Sequence, residues 1–206
     1  MKQDIILAGV GGQGIISIAF VIASAALEEG LEVKQAEVHG MSQRGGAVQS
    51  HLRLSRERIW SDLIPRGEAN LILSVEPLEA LRYLDFLRPD GMIIAGRAPF
   101  VNIPDYPEME SVLAGIEAIP RHLLIDSEKL AKEAGSSRTQ NMVMLGAASG
   151  YLQVREENLS KFIQVLFARH GESVIASNLK AFALGKEAAA AQSAPAAGGR
   201  GGRGGG

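Results

Sequence analysis

The chain has 206 residues, 46% of them hydrophobic and 21% charged, a balance that suits one soluble globular domain with a substantial core. Its formal net charge of -2 gives no global attraction to nucleic acid or acidic membrane, so no partner of either kind is expected and any basic site must be local. Cysteine is absent, which excludes disulfides, thiolate zinc sites, a cysteine nucleophile and cysteine-held iron–sulfur clusters within this chain.

The chain opens with a short branched apolar run, Ile5 to Ala8, which reads as a buried strand. Gly9-Val10-Gly11-Gly12-Gln13-Gly14 follows, and then an apolar stretch of helical length from Ile15 to Leu27. Strand, glycine loop and helix is the context of a dinucleotide fingerprint, and Gly9, Gly11 and Gly14 fit its spacing. Such glycines allow positive φ and close approach of backbone to phosphate, and the helix would aim free N–H groups at an anion. The same glycines also serve helix-on-sheet packing with no ligand. Lys2, the apolar stretch and Ala23-Ser24-Ala25 imitate a signal peptide, but Asp4 and the glycine loop interrupt the pattern. The run from Ile15 is shorter than the ~20 residues of a membrane span. An uncleaved, cytoplasmic chain is expected.

Gly30 sits at a helix C-terminus, and Leu31 to Val38 predicts strand two. Glu37 lies near the place of the fingerprint acid, about 20 residues on. A second glycine-bearing loop follows at once, His39-Gly40-Met41-Ser42-Gln43-Arg44-Gly45-Gly46, which a plain nicotinamide domain does not need. Ala47 to Leu54 alternates as a half-exposed strand able to pair antiparallel. Ile59 to Asp62 is expected as a hairpin or extended arm. Asn70 to Val75 is a buried strand, and Glu76-Pro77 starts a helix expected to run through Leu87. Pro89-Asp90-Gly91 is a turn into the strand Met92 to Ala95. Pro99 to Pro107 is irregular, Met109 to Gly115 a helix, and Ile119 to Ile125 holds a late strand. Ser127 is the expected cap of a helix from Glu128 to Ala134. Asn141 to Leu152, Glu156 to Ala168 and Glu172 to Leu184 are helical, the last prolonged by alanines. Residues 186–206, rich in alanine and glycine, read as a flexible tail after a domain of residues 1–185. The fold class is α/β, a Rossmann-like layered fold with a mostly parallel or mixed sheet, helices on both faces and a C-terminal helical segment.

Four stretches occur in an order that resembles one family: Gly-Val-Gly-Gly-Gln-Gly at 9–14, His-Gly-Met-Ser-Gln-Arg-Gly-Gly at 39–46, Asn-Met-Val-Met-Leu-Gly at 141–146 and Asn-Leu-Lys-Ala-Phe-Ala-Leu-Gly at 178–185. They look like the gamma-type domain of 2-oxoacid:ferredoxin oxidoreductases, in the form of the small (beta) subunit of the indolepyruvate enzymes. The resemblance implies a heteromer that oxidatively decarboxylates aryl pyruvates to aryl-acetyl-coenzyme A and passes electrons to ferredoxin. Thiamine diphosphate, magnesium and iron–sulfur clusters would belong to the large (alpha) subunit, and the small subunit would be inactive alone. Coenzyme A is the ligand this chain would contact. The candidate positions are Gly9, Gly11, Gly12, Gln13, Gly14, Met41, Ser42, Gln43, Arg44, Gly45, Gly46 and Asn141. Gln13 would act as an amide donor, Met41 would pack against the partner, and Arg44 would take a phosphate or carboxylate in bidentate fashion. An internal ion pair is the alternative for Arg44. His39 is either a proton carrier or a loop-ordering group, and His51 is expected at the surface or an interface. No metal or catalytic residue is assigned. The rival readings are an independent nicotinamide- or flavin-dependent reductase and a pure assembly scaffold.

Overall fold

A computed structural model of the chain describes residues 1–39, 45–101 and 103–193. Six strands form one mixed sheet: β1 (Lys2–Val10), β2 (Glu32–His39), β3 (Ala47–Ser55), β4 (Ala69–Ser74), β5 (Leu87–Gly96) and β6 (His122–Ile125). Their order is β2-β3-β1-β4-β5-β6. β1, β4, β5 and β6 run parallel, while β3 is antiparallel to both β1 and β2. Seven α-helices complete the described residues: α1 (Ile15–Glu28), α2 (Pro77–Arg82), α3 (Met109–Glu117), α4 (Ser127–Glu133), α5 (Gln140–Ser149), α6 (Glu156–Phe167) and α7 (Glu172–Ser193). None of the described helices is long and apolar enough to cross a membrane.

The alternation of strand side chains divides the core in two. Ile5, Leu7, Leu71, Leu73 and Ile94 point to the face covered by α1, α4, α5, α6 and α7. Ile6, Ile72 and Ile93 point to the face covered by α2 and α3. The expected C-terminal helical segment is thus no appendage. α5 and α7 form the body of one layer, crossing where Gly146 and Gly185 bring the two backbones together: a Cβ on Gly146 would lie 1.9 Å from the Phe182 carbonyl oxygen, and one on Gly185 1.9 Å from that of Val143. These are the terminal glycines of the two C-terminal motifs, and close helix packing explains both.

Several boundaries differ from the sequence expectation for identifiable reasons. α1 ends in a Schellman arrangement, with Gly30 at φ 73 and Leu31 N–H donating to the Ala26 carbonyl. The helix from Pro77 stops at Arg82, and after a short 3₁₀ turn at Leu84–Phe86 the chain enters β5 at Leu87. Leu87 pairs with Ala69, and a register shift takes up the Pro89-Asp90-Gly91 stretch that was expected as a turn. The cap of α4 is Asp126, whose carboxylate accepts from Lys129 N–H, and Ser127 is the first helical residue. β6 begins only at His122, because Ile119 N–H still closes the end of α3. α7 carries Lys186–Ser193, so helix continues into the stretch expected as tail. Residues 194–206 lie outside the described residues.

Candidate functional site at the glycine loops

The parallel strands end on one edge of the sheet, and β1 and β4 send their following helices to opposite faces. That makes the crevice beside them a topological switch point, where ligands of open α/β sheets bind. Its β4 side is closed by Glu76, a buried residue. Glu76 Oε2 accepts from Glu79 N–H at 2.8 Å, and Oε1 accepts from Phe100 N–H at 3.3 Å and from the Tyr106 hydroxyl. Burial and that hydrogen bond push the Tyr106 phenol far above its usual range. Glu76 therefore clamps the chain after β5 to the sheet, with both carboxylate oxygens engaged.

The β1 side holds the glycine loops. Gln13 N–H donates to the Val10 carbonyl at 3.0 Å, and Val10 N–H returns a 2.8 Å bond to Gln13 Oε1. The Gln13 side-chain oxygen is thus spent on the loop itself, and its NH₂ group is left as the amide donor. A Cβ on Gly9 would meet Ile15 Cδ1 at 2.7 Å and Gln13 Oε1 at 2.9 Å, so a larger residue there would displace the side chain that closes the loop. Gly12 is exposed at φ 103, with open space around it. Gly14, at φ 78, is the N-cap of α1 and supplies no side chain to its N–H groups, and the first turn has no acid. The helix start is left electropositive.

Because β3 pairs with β1, the second glycine loop lies against the first. Gly11 N–H donates to the Gly46 carbonyl at 2.8 Å, and Gly45 N–H approaches the Gly11 carbonyl at 3.5 Å. Asn141, at the start of α5, joins them from the helical layer: its Nδ2 lies 3.4 Å from the Gly14 carbonyl and its Oδ1 accepts from Met142 N–H at 3.0 Å. Gly9, Gly11, Gly12, Gln13, Gly14, Gly45, Gly46 and Asn141 are thus brought to one place. Met41, Ser42, Gln43 and Arg44, and the side chain of His39, lie outside the described residues.

Beyond Asn141 opens a groove of about 750 Å³ that single-motif reasoning missed. Ser17 of α1 forms one wall, and Arg138, His170, Asn178 and Lys180 line the rest. No carboxylate is among its lining residues, and no ion pair engages Arg138 among the described residues. Lys180 Nζ donates to the Glu133 carbonyl at 2.8 Å, a bond that places the ammonium without neutralising it. The starts of α5 and α7 face the same space. The signal in the sequence was the run Ser136-Ser137-Arg138-Thr139 directly before the Asn141 motif, with Lys180 inside the Asn178 motif.

Glu37 does not complete a dinucleotide site. In the fingerprint its strand adjoins β1, whereas here β3 stands between β2 and β1. That moves Glu37 one strand spacing further out, to two spacings or roughly 9.6 Å from β1. Asp126 is a helix cap, and His122 Nδ1 lies 2.7 Å from the Ile119 carbonyl. His51, expected at the surface or an interface, is buried within the chain: its Nδ1 accepts from Ile64 N–H at 3.0 Å and its ring meets Phe86 edge-on.

With this geometry in hand, comparison with known proteins is decisive. Residues 4–188 match the family described as pyruvate ferredoxin/flavodoxin oxidoreductase. The chain belongs to this family. It is 36% identical over 201 residues to the indolepyruvate oxidoreductase subunit IorB of Thermococcus kodakarensis, covering 92% of this chain and 97% of that one. Its fold superimposes with a TM-score of 0.75 and 28% identity on the 2-oxoglutarate:ferredoxin oxidoreductase of Magnetococcus marinus, solved with 2-oxoglutarate, coenzyme A and succinyl-CoA; the match covers 92% of this chain and 31% of that one. The gamma subunit of a keto/oxoacid ferredoxin oxidoreductase from Geobacter sulfurreducens shares the fold at a TM-score of 0.67 and 24% identity, covering 92% and 99% of the two chains.

Proposed function

We propose that this chain is the small, non-catalytic subunit of a 2-oxoacid:ferredoxin oxidoreductase that converts indolepyruvate and related aryl pyruvates to aryl-acetyl-coenzyme A, and that its own task is to receive coenzyme A. The observation that carries the second half is the carboxylate-free groove beside the uncapped start of α1, with Arg138, His170 and Lys180 in its wall. Phosphates of coenzyme A would be held by helix-start N–H groups and by the Arg138 and Lys180 cations, with Arg138 able to bind an oxygen pair in a fork. Asn141 and the paired glycine loops would hold the thiol-bearing arm at the switch point. Glycine leaves these loops narrow enough for the ligand to lie on backbone.

Thiamine diphosphate and iron–sulfur clusters fit the large subunit better than this chain. A cluster needs thiolates, and the sequence has none. When bound there, thiamine supplies the carbanion chemistry of decarboxylation. Ferredoxin would be reached through the complex, in the cytoplasm. β3, inserted where a nicotinamide site needs β2, argues against the independent reductase.

Tagging this chain in its host and identifying what co-purifies is the first test. A larger thiamine- and iron–sulfur-containing subunit, with aryl-pyruvate-dependent ferredoxin reduction, is the expected result. In that complex Arg138→Ala with Lys180→Ala should raise the KM for coenzyme A at least tenfold and leave that for the 2-oxoacid unchanged. Unaltered coenzyme A dependence would refute the groove and favour the scaffold reading.

A further inference from the structure

The connection from β3 to β4 starts at Ser55, which pairs with Lys2, so it lies at the opposite end of the sheet from the glycine loops. The length of β1 places it about 26 Å away. Residues 56–64 form no regular element, yet they are pinned throughout. Arg53 Nη1 donates to the Ser61 and Leu63 carbonyls at 3.0 and 2.9 Å. Ile59 N–H donates to Glu32 Oε1 at 3.0 Å, Ile64 N–H to His51 Nδ1 at 3.0 Å, and Lys34 pairs with Asp62 at 3.6 Å. Ile59 and Ile64 are buried as anchors.

What this arm displays buries almost nothing. Trp60 is 81% exposed and Leu63 54%. The Arg58 guanidinium lies over the indole, 4.2 Å from its centroid, and fixes its orientation. Arg56 and Arg58 are both exposed, and neither has a carboxylate partner among the described residues. The acids from 56 to 63 are Glu57 and Asp62, and Asp62 is the one paired with Lys34. A rigid backbone presenting tryptophan and arginine outward is the anatomy of an interface hot spot, in which ordering is completed before association.

We propose that residues 56–63 are a docking surface for an acidic face of the large subunit that offers an apolar pocket to Trp60 and carboxylates to Arg56 and Arg58. The inference rests on the reading of this chain as a small subunit. Asp62 pairs with Lys34, so Arg56 and Arg58 face only Glu57 on the arm, and this local excess of cations selects an acidic partner although the chain as a whole is mildly acidic. In the Magnetococcus marinus enzyme the matching domain is 31% of a longer chain, so its neighbour is held covalently. A separate chain needs surface contacts in place of that bond.

The test is hydroxyl-radical footprinting of the purified heteromer against the free chain, read at Trp60, the sole tryptophan. Protection of Trp60 by about tenfold or more is expected on assembly. Trp60→Ala, and separately Arg56→Glu with Arg58→Glu, should weaken assembly at least about tenfold while leaving the urea midpoint of the free chain unchanged. The charge reversal should also flatten the salt dependence of assembly. A heteromer in which Trp60 stays fully reactive, or in which Trp60→Ala assembles normally, overturns the docking surface and leaves the small-subunit reading standing. Protection arising from self-association of this chain overturns it in favour of a second copy. If no larger subunit accompanies the wild-type chain, both readings fall together.

Discussion

Replacing Gly146 by alanine adds one methyl group at the crossing of α5 and α7. Its Cβ would stand 1.9 Å from the Phe182 carbonyl oxygen, 2.8 Å from the carbonyl carbon and 3.0 Å from Cα. The obstacle is backbone, so no rotamer change relieves it. To restore an ordinary contact the helices must part by about 1.5 Å, and Met142, Val143, Ala181 and Phe182, all buried, lose packing together. Overpacking of this kind costs about 1–3 kcal/mol where side chains can adjust, and here the upper end or more is expected. Alanine returns about 1 kcal/mol of helix propensity. A net loss of about 2–3 kcal/mol follows, measured as a lower urea midpoint with an unchanged slope. Gly150→Ala is the control: it lies at φ -70 with nothing within 4 Å of its Cβ, so it should be neutral or slightly stabilising. Gly185→Ala should match Gly146→Ala, and the double variant should cost less than the sum, since one separation relieves both clashes. A Gly146→Ala protein within about 0.5 kcal/mol of wild type would refute the close crossing.

Arg53→Met should cost about 3 kcal/mol, the low end for breaking a buried pair, because buried Asp4 loses its 2.8 Å partner and keeps only the half-exposed Lys2 at 3.1 Å; faster hydrogen exchange at Ile64 would report the release of the arm. His51 should make stability pH-dependent: burial first, and the nearby Arg53 cation second, hold its pKa below the usual 6.5. The unfolded chain therefore takes up this proton first as pH falls below about 6.5, so this contribution is constant above that pH and lost progressively below it. Urea midpoints across pH 5–8 for wild type and His51→Gln should diverge in that sense, and parallel curves would exclude it. Gly14→Ala should cost at least about 1–2 kcal/mol for its left-handed backbone, with a further clash against Asn141 Nδ2 at 2.4 Å; Asn141→Ala should recover the clash but not the backbone strain, and full additivity of the two would rule out the contact.

Much of this architecture was legible because it rests on local patterns. The apolar run Ile5 to Ala8, the helix from Ile15 and the C-terminal periodicities specify their elements by burial alone. The alternation of Ala47 to Leu54 announced an antiparallel strand. Other features depend on partners remote in the chain. Nothing local says that Leu87 will pair with Ala69, so a helix was extended over it. His51 sits in an alternating strand and looked half-exposed, but the arm and Phe86 close over it. The glycine positions were legible as backbone requirements. The groove was not, because Ser17, Arg138 and Lys180 meet only when α1, α5 and α7 have been laid side by side.

The glycine loop itself shows why a motif needs its neighbouring strand. Gly9, Gly11 and Gly14 carry the spacing of a dinucleotide fingerprint, and α1 offers the free N–H groups that such a site uses. In that site a ribose is met by an acid on the strand next to β1. Here the chain passes β2 outward and returns through the second glycine loop into β3, so the neighbour of β1 is antiparallel and delivers Gly45 and Gly46 in place of an acid. Where the described parts of the two glycine loops are zipped together they present mainly backbone, which can hold phosphate or a partner's chain and does not supply the acid that selects a ribose hydroxyl. Selectivity must then come from outside the sheet. Among the described residues the groove offers charged and amide groups from α5, from α7 and from the 3₁₀ turn Ser137–Thr139 before α5: Asn141, Arg138, Asn178 and Lys180. The crossing held by Gly146 and Gly185 therefore sets the distance between the groove's two cation-bearing walls. Widening it by one methyl group should weaken coenzyme A binding even in molecules that remain folded, whereas an equal loss of stability produced at Arg53, at the far end of the sheet, should leave that affinity intact.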